Sequence, residues 1–243
     1  MKKIVSLTFV FAFSFAAIAQ QKGFQLGLQL SPNISWFKPD SDGLKSDGVK
    51  LGFSYGIIGD FNISENYAIS TGISLLSAGG KLNYPDREEI NGIFYGGRTT
   101  SDIRLKYIQI PLTIKLKTNQ IGYMRYYGQF GFGAAFNYDS KIDREFSYPE
   151  SKSNFTTDNK KFGSEVNIFR ASLIVGIGAE YNLSGNTSLL FGLTFDNGFM
   201  NVLSKDIYPE DQNGNGAGVG KGKRSEDFNA INNSLVLNFG VLF

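Results

Sequence analysis

From Gly23 onward the chain alternates with period two, and one of the two faces is almost wholly apolar. Gly23 to Ser31 reads G-F-Q-L-G-L-Q-L-S, placing Phe24, Leu26, Leu28 and Leu30 on one side and Gly23, Gln25, Gly27 and Gln29 on the other. Successive side chains of a strand point to opposite faces, so this pattern predicts a strand with one greasy and one small or polar surface. The pattern recurs seven times. Leu51, Phe53, Tyr55, Ile57 and Phe61 oppose Gly52, Ser54, Gly56 and Asp60; Ile108, Ile110, Leu112, Ile114 and Leu116 oppose Tyr107, Gln109, Thr113 and Lys115. Comparable runs centre on Tyr67–Leu75, Met124–Phe136, Phe169–Tyr181, Leu189–Phe195 and Leu235–Phe243. Eight strands of about 9–14 residues are expected, long enough to cross a membrane at a tilt.

The connections have a rhythm of their own. Short polar turns fall at Ser64-Glu65-Asn66, Thr118-Asn119-Gln120 and Ser184-Gly185-Asn186, while the remaining four connections run to roughly 17–32 residues. Short turns at one rim and long loops at the other predict an all-β, eight-stranded antiparallel up-and-down transmembrane β-barrel, with short periplasmic turns and long extracellular loops. Both ends of the barrel domain then lie at the short-turn rim.

Composition agrees where it bears on the argument. The 243 residues include 29 Gly, 22 Phe and 12 Tyr, a mixture suited to strands and tight turns. There is no Cys and no His, so neither a disulfide nor a Ser–His–acid triad nor an imidazole metal site can be built. A net charge of +2 offers no basic face for nucleic acid. Lys2 and Lys3, the apolar run Ile4–Ile18 and the small residues Ala17 and Ala19 have the form of a secretory signal. The expected organisation is a cleaved leader over residues 1–19 and a barrel domain over 20–243, exported to the cell outer membrane and surrounded by its lipid.

The apolar face is expected to meet lipid, because so many large aromatics would overpack an eight-stranded interior. The other face then fills the lumen. It carries ions of both signs, Asp60, Lys115, Arg125, Arg170, Glu180 and Asp196, expected to neutralise one another as a charge network. Tyr67, Tyr107, Tyr126, Tyr181 and Phe243 stand near strand ends, where an interfacial girdle belongs. Pro111 removes a ladder donor and predicts a bulge or a gap in pairing.

Other motifs are weak. Asn213–Lys223 is Gly-rich but lacks phosphate-loop spacing, and the run from Asp211 has Gly222 where a calcium loop needs Glu. No cofactor and no metal is expected. Carboxylates gather in the third long connection (Asp139, Asp143, Glu145, Asp158), a pattern that solvated loops share, and no enzymatic activity is expected. Aromatics among charges in the long connections, Trp36, Phe37, Tyr84, Phe94, Tyr95, Phe146 and Tyr148, suit either a protein partner or packing among the loops themselves.

Particular residues carry a family likeness. Tyr107-Ile108-Gln109-Ile110-Pro111-Leu112-Thr113-Ile114-Lys115, the glycine-rich Gly128–Ala134 and Gly176-Ile177-Gly178-Ala179-Glu180-Tyr181 resemble the PorT-like outer-membrane β-barrel family, common in the Bacteroidota. Phe243 is similar to the terminal aromatic through which the barrel-assembly machinery recognises its clients. The resemblance implies outer-membrane residence and eight strands, and some members serve secretion and gliding machinery. Two functions are expected on this basis: a plugged barrel anchoring surface loops for a partner, or a small passive porin or transporter.

Overall fold

The computed structural model describes residues 23–203, apart from 42, 91–92, 148–154 and 162–165, together with 229–243. The expected leader, the Gly-rich run 213–223 and Tyr148 lie outside the described residues. The strands are β1 (Phe24–Pro39), β2 (Lys45–Gly48), β3 (Lys50–Asn62), β4 (Tyr67–Ile90), β5 (Ile93–Lys117), β6 (Met124–Ser147), β7 (Phe155–Lys161), β8 (Phe169–Ser184), β9 (Thr187–Gly198) and β10 (Ala230–Leu242).

Eight of them form a closed antiparallel ring in the order β1-β3-β4-β5-β6-β8-β9-β10, with β10 returning to β1. The seam is sealed to its end: the Phe243 N–H donates to the Leu26 carbonyl at 2.8 Å, and the Leu26 N–H to the Phe243 carbonyl at 3.1 Å. β2 and β7 are additions at the opposite rim, pairing with β4 and β6 respectively. The short turns sit where the sequence places them. Gly185, at φ +57°, makes the tight turn between β8 and β9 at no steric cost.

The outward face carries the expected apolar rows. On β5 these are Ile108 to Leu116, on β3 Leu51 to Phe61, and on β10 Leu235 to Phe243, all well exposed. Their belt is roughly 20–30 Å tall once strand rise and a tilt of about 40° are allowed for. A belt of that size facing water would be an aggregation surface; in hydrocarbon it is stabilised, provided no backbone edge is left open.

The strand lengths depart from expectation. β4, β5 and β6 run to 24, 25 and 24 residues, and most of the long connection between β4 and β5 is strand. The reason is an inversion of polarity along each strand. On β5, Gln109, Thr113 and Lys115 face inward below, whereas Tyr107, Leu105 and Ile103 are the buried inward residues above. Outward positions change in the opposite sense, from Ile108 to Lys106 and Arg104, as the wall leaves the apolar belt. β4 inverts likewise, with Leu76, Ala78 and Leu82 turned inward. β6 achieves the same by different means. Tyr107 pairs with Asn137 but Lys106 with Asp139, so Tyr138 is an extra residue in a β-bulge. The bulge turns Ile142 and Phe146, which continue the even-numbered apolar row, from the outside to the inside.

Above the polar lumen there is therefore an apolar core. Phe37, Leu82, Tyr84, Ile103, Leu105, Tyr107 and Ile142 are closed over by Leu44, Val166, Val202 and Leu203 from the connections. Three of the loop aromatics, Phe37, Tyr84 and Phe146, are thus interior packing residues. Trp36 stands on the outer wall against Phe195, with ring centroids 6.2 Å apart.

Pro111 leaves a gap, as one of the two expected outcomes. The β4–β5 ladder passes from Thr71–Leu112 to Ser74–Gln109 without the two pairs between them, and the register is unchanged across the gap. The Thr71 hydroxyl donates to the Pro111 carbonyl at 2.8 Å, which satisfies an acceptor the ladder leaves.

Two outcomes are expected from this fold. Boiled and unboiled samples run differently on a denaturing gel, since a sealed ring resists detergent unfolding; equal mobility counts against closure. Gly178→Val destabilises the detergent-folded barrel by about 1–3 kcal/mol in urea titrations, because overpacking forces neighbours to move. A Cβ at Gly178 lies 2.3 Å from the Phe191 carbonyl and 2.4 Å from the Tyr127 ring.

Candidate functional site

The strand alternation gathers buried ionisable groups in the barrel lumen, and it does so in layers. Nearest the short-turn rim, β3 contributes Asp60, β5 contributes Lys115 and Lys117, β6 contributes Arg125 and Tyr127, and β8 contributes Glu180. Lys115 Nζ lies 2.6 Å from Asp60 Oδ2 and 3.6 Å from Glu180 Oε1. Lys117 Nζ lies 3.0 Å from Glu180 Oε1 and 3.4 Å from Asp60 Oδ2. The four form a crossed square of two cations and two anions, almost entirely shielded from solvent.

Tyr127 caps this square, its ring centroid 4.8 Å from Lys115 Nζ, a cation–π distance. The ring has room only because β8 and β9 present Gly178 and Gly192 beneath it.

The middle layer is neutral. Gln29 Nε2 donates to Asn238 Oδ1 at 2.6 Å, Asn238 Nδ2 to Thr194 Oγ1 at 2.7 Å, and Gln129 Nε2 to the same hydroxyl at 3.1 Å. Against these amides lies a cavity of about 90 Å³, walled also by Ser54, Ser74, Gln109 and Pro111. It has space for a few waters and for little else.

The third layer is a second ion pair. Arg170 Nη2 donates to Asp196 Oδ1 at 2.7 Å and to the Asn232 carbonyl at 2.9 Å, while Gln109 Nε2 donates to Asp196 Oδ2 at 2.7 Å. Arg170 is 1 % exposed, so its charge depends on Asp196 for compensation. The apolar core closes the lumen directly above.

Of the six ions singled out in the sequence, the structure brings Asp60, Lys115 and Glu180 together in one set and Arg170 and Asp196 in another. Arg125 faces Glu180 across the β6–β8 ladder but has no ion-pair partner within 4 Å among the described residues. Lys117 was missed. Its signal was available: it continues the inward row of Gln109, Thr113 and Lys115, but it was placed beyond the end of the strand.

Outside the lumen, Asp139 and Asp143 point away from the core and pair with Lys106 at 2.9 Å and Arg104 at 2.6 Å. The hydrogen bond from Lys106 to Asp139 holds the ammonium above its ordinary pKa. These carboxylates are spoken for by cations on the outer wall and do not converge on a cavity. Among the described residues no group of His, Cys, Asp and Glu is arranged to hold a metal.

The family described as outer membrane protein beta-barrel domain matches residues 18–204, and the chain belongs to that family. Solved structures of similar overall form share little sequence. They include the attachment invasion locus protein Ail of Yersinia pestis (14 % identity, 90 % of this chain and 99 % of that one, TM-score 0.37). OprG of Pseudomonas aeruginosa is similar at 11 % identity over 91 % of this chain and 96 % of that one, TM-score 0.41. The outer membrane protease OmpT of Escherichia coli is similar at 8 % identity over 92 % and 97 %, TM-score 0.37. No curated protein matches the chain.

The ion square generates a direct test. Asp60→Ala leaves two lysines facing one carboxylate, and removing one partner of a buried pair costs about 3–5 kcal/mol. The double replacement Asp60→Leu with Lys115→Met is expected to recover much of that loss. Urea midpoints of the folded barrel in detergent check both; equal midpoints for wild type and D60A would show that the square contributes nothing.

Proposed function

Taking membership of the outer membrane barrel family as the premise, we propose that this protein is a non-enzymatic anchor whose lumen is plugged and whose working surface is its long-loop end. One observation carries the reading. The lumen is crossed at two heights by compensated ions, the Asp60–Lys115–Lys117–Glu180 square and the Arg170–Asp196 pair, and is roofed by an apolar core. A solute moving through it would have to break charge pairs that have no water to replace them. The absence of His and Cys from the chain supports a non-enzymatic role, since the commoner nucleophile–base pairs cannot be assembled.

The long-loop end is built for display. β4, β5 and β6 continue well past the apolar belt, and their outer face carries Asp102, Arg104, Lys106, Asp139 and Asp143, with Lys50 of β3 reaching Asp102. A rigid charged wall above a membrane suits contact with a protein partner. The Ile-Pro strand around Pro111 and the Gly-x-Gly-x-Glu strand ending at Glu180 support placement among the PorT-like barrels of the Bacteroidota, and through them a tie to secretion machinery. Export through a leader cleaved after Ala19 and assembly through the terminal Phe243 belong to the same reading.

The alternative, a small passive pore, is favoured by the 90 Å³ cavity at mid-lumen. Planar-bilayer recording separates the two. The plugged anchor predicts a silent bilayer after insertion of the purified barrel; steady, repeatable conductance steps would establish the pore.

A further inference from the structure

The charge square does not close the account of the lumen's lower end. Lys115, Lys117 and Arg125 stand there against Asp60 and Glu180, three cations against two anions. The two lysines share the two carboxylates, and Arg125, across the ladder from Glu180, has no counter-charge within 4 Å among the described residues. Its Nε is shielded from solvent and has no hydrogen-bond partner.

Arg125 borders a polar vestibule of about 200 Å³ at the short-turn rim, lined also by Gln25, Gln120, Tyr123, Asn182 and Ser188. A space of that size holds several waters, so it admits a small polyatomic ligand. The side-chain amides of Gln25, Gln120 and Asn182 are tied to carbonyls of the turn residues Asn186, Gly122 and Gly185, which fixes the walls. Glu180 also lines the vestibule; its Oε1, shielded from solvent, lies 3.0 Å from Lys117 Nζ.

We propose that this vestibule is a binding site for a small oxyanion, a phosphate or carboxylate group presented from the periplasmic side. Arg125 is the principal ligand, and the hydroxyls of Tyr123 and Ser188 supply further donors. An unpaired guanidinium partly withdrawn from water gains most from an anion that accepts its planar fork, and the square behind it, two cations against two anions, is compensated within itself. The site goes beyond the anchor reading, because it faces away from the displayed loops and needs no conduction.

The test uses the full folded chain in a zwitterionic detergent, with inorganic phosphate and acetate as separate probes against chloride at constant ionic strength. Phosphate binding is read by ³¹P line broadening and both probes by calorimetry. Saturable binding of either is expected in wild type, phosphate alone indicating a phosphorylated ligand and acetate alone a carboxylate. Arg125→Gln is expected to weaken it at least about tenfold, the scale of a lost charge-assisted hydrogen bond. Arg125→Lys, which keeps the charge but loses the planar fork, is expected to bind more weakly than wild type and more tightly than R125Q, and Lys106→Gln on the outer wall leaves binding unchanged. The gel-mobility shift on boiling confirms that each variant is folded. Absence of saturable binding in wild type, or unchanged binding in R125Q, would overturn the proposal without touching the anchor reading, which stands or falls on conductance.

Discussion

Every feature of this molecule depends on one demand: within hydrocarbon, no backbone N–H or C=O can be left without a partner. The eight long strands meet it by returning to their start, and the reciprocal bonds between Leu26 and Phe243 carry that pairing to the last residue. Once the ring is closed its circumference is set, and so is the narrow interior that side chains must fill. The glycines beneath Tyr127, the shared lysines and the amide layer are all consequences of packing polar groups into a space that small. The interruption at Pro111 is tolerated because it spans only two pairs, and a threonine hydroxyl takes up an acceptor.

The lumen's ions answer a second demand that follows from the first. A polar inner face is needed because the apolar residues are spent on the outside, yet charges in a confined space need partners. Mixed sign solves this locally. Asp60 and Glu180 each lie within 4 Å of both lysines, so the arrangement is a small lattice whose members cannot be removed one at a time without loss. Arg170 and Asp196 form a simpler pair, reinforced by Gln109.

Much of this was legible in the sequence, and the part that was not has a physical reason. Strand number, the outward face and the short-turn rim follow from alternation and turn residues, because each is a local property of about ten residues. The upper halves of β4 and β5 look like loops in the sequence since the alternation there changes sense, and that of β6 does because its apolar residues thin out among Asp139, Lys141, Asp143, Arg144 and Glu145. In β5 the apolar residues move from even positions (Ile108, Ile110) to odd ones (Ile103, Leu105, Tyr107), and a reader following one face sees the pattern end. What ends is only the hydrocarbon. The ions of the lumen could be named from their face, but which would meet depends on register between strands far apart in the chain: Lys115 and Glu180 are neighbours only through β6. Lys117 was lost to a boundary misplaced by a residue or two, the least secure feature of any such reading.

The bulge at Tyr138 has a consequence for how this wall tolerates change. β6 keeps its large apolar residues on even positions through Phe136, Ile142 and Phe146, with Ser140 and Arg144 between them, and a single surplus residue decides that Ile142 and Phe146 turn toward protein and not toward water. The residue works as an indexing tooth. Substituting it alters one side chain, whereas deleting it slips every later position of β6 to the wrong side at once, exposing Ile142 and Phe146 and driving Asp143 into the core. The outer half of this strand therefore tolerates exchange of its outward side chains far better than any change in its length.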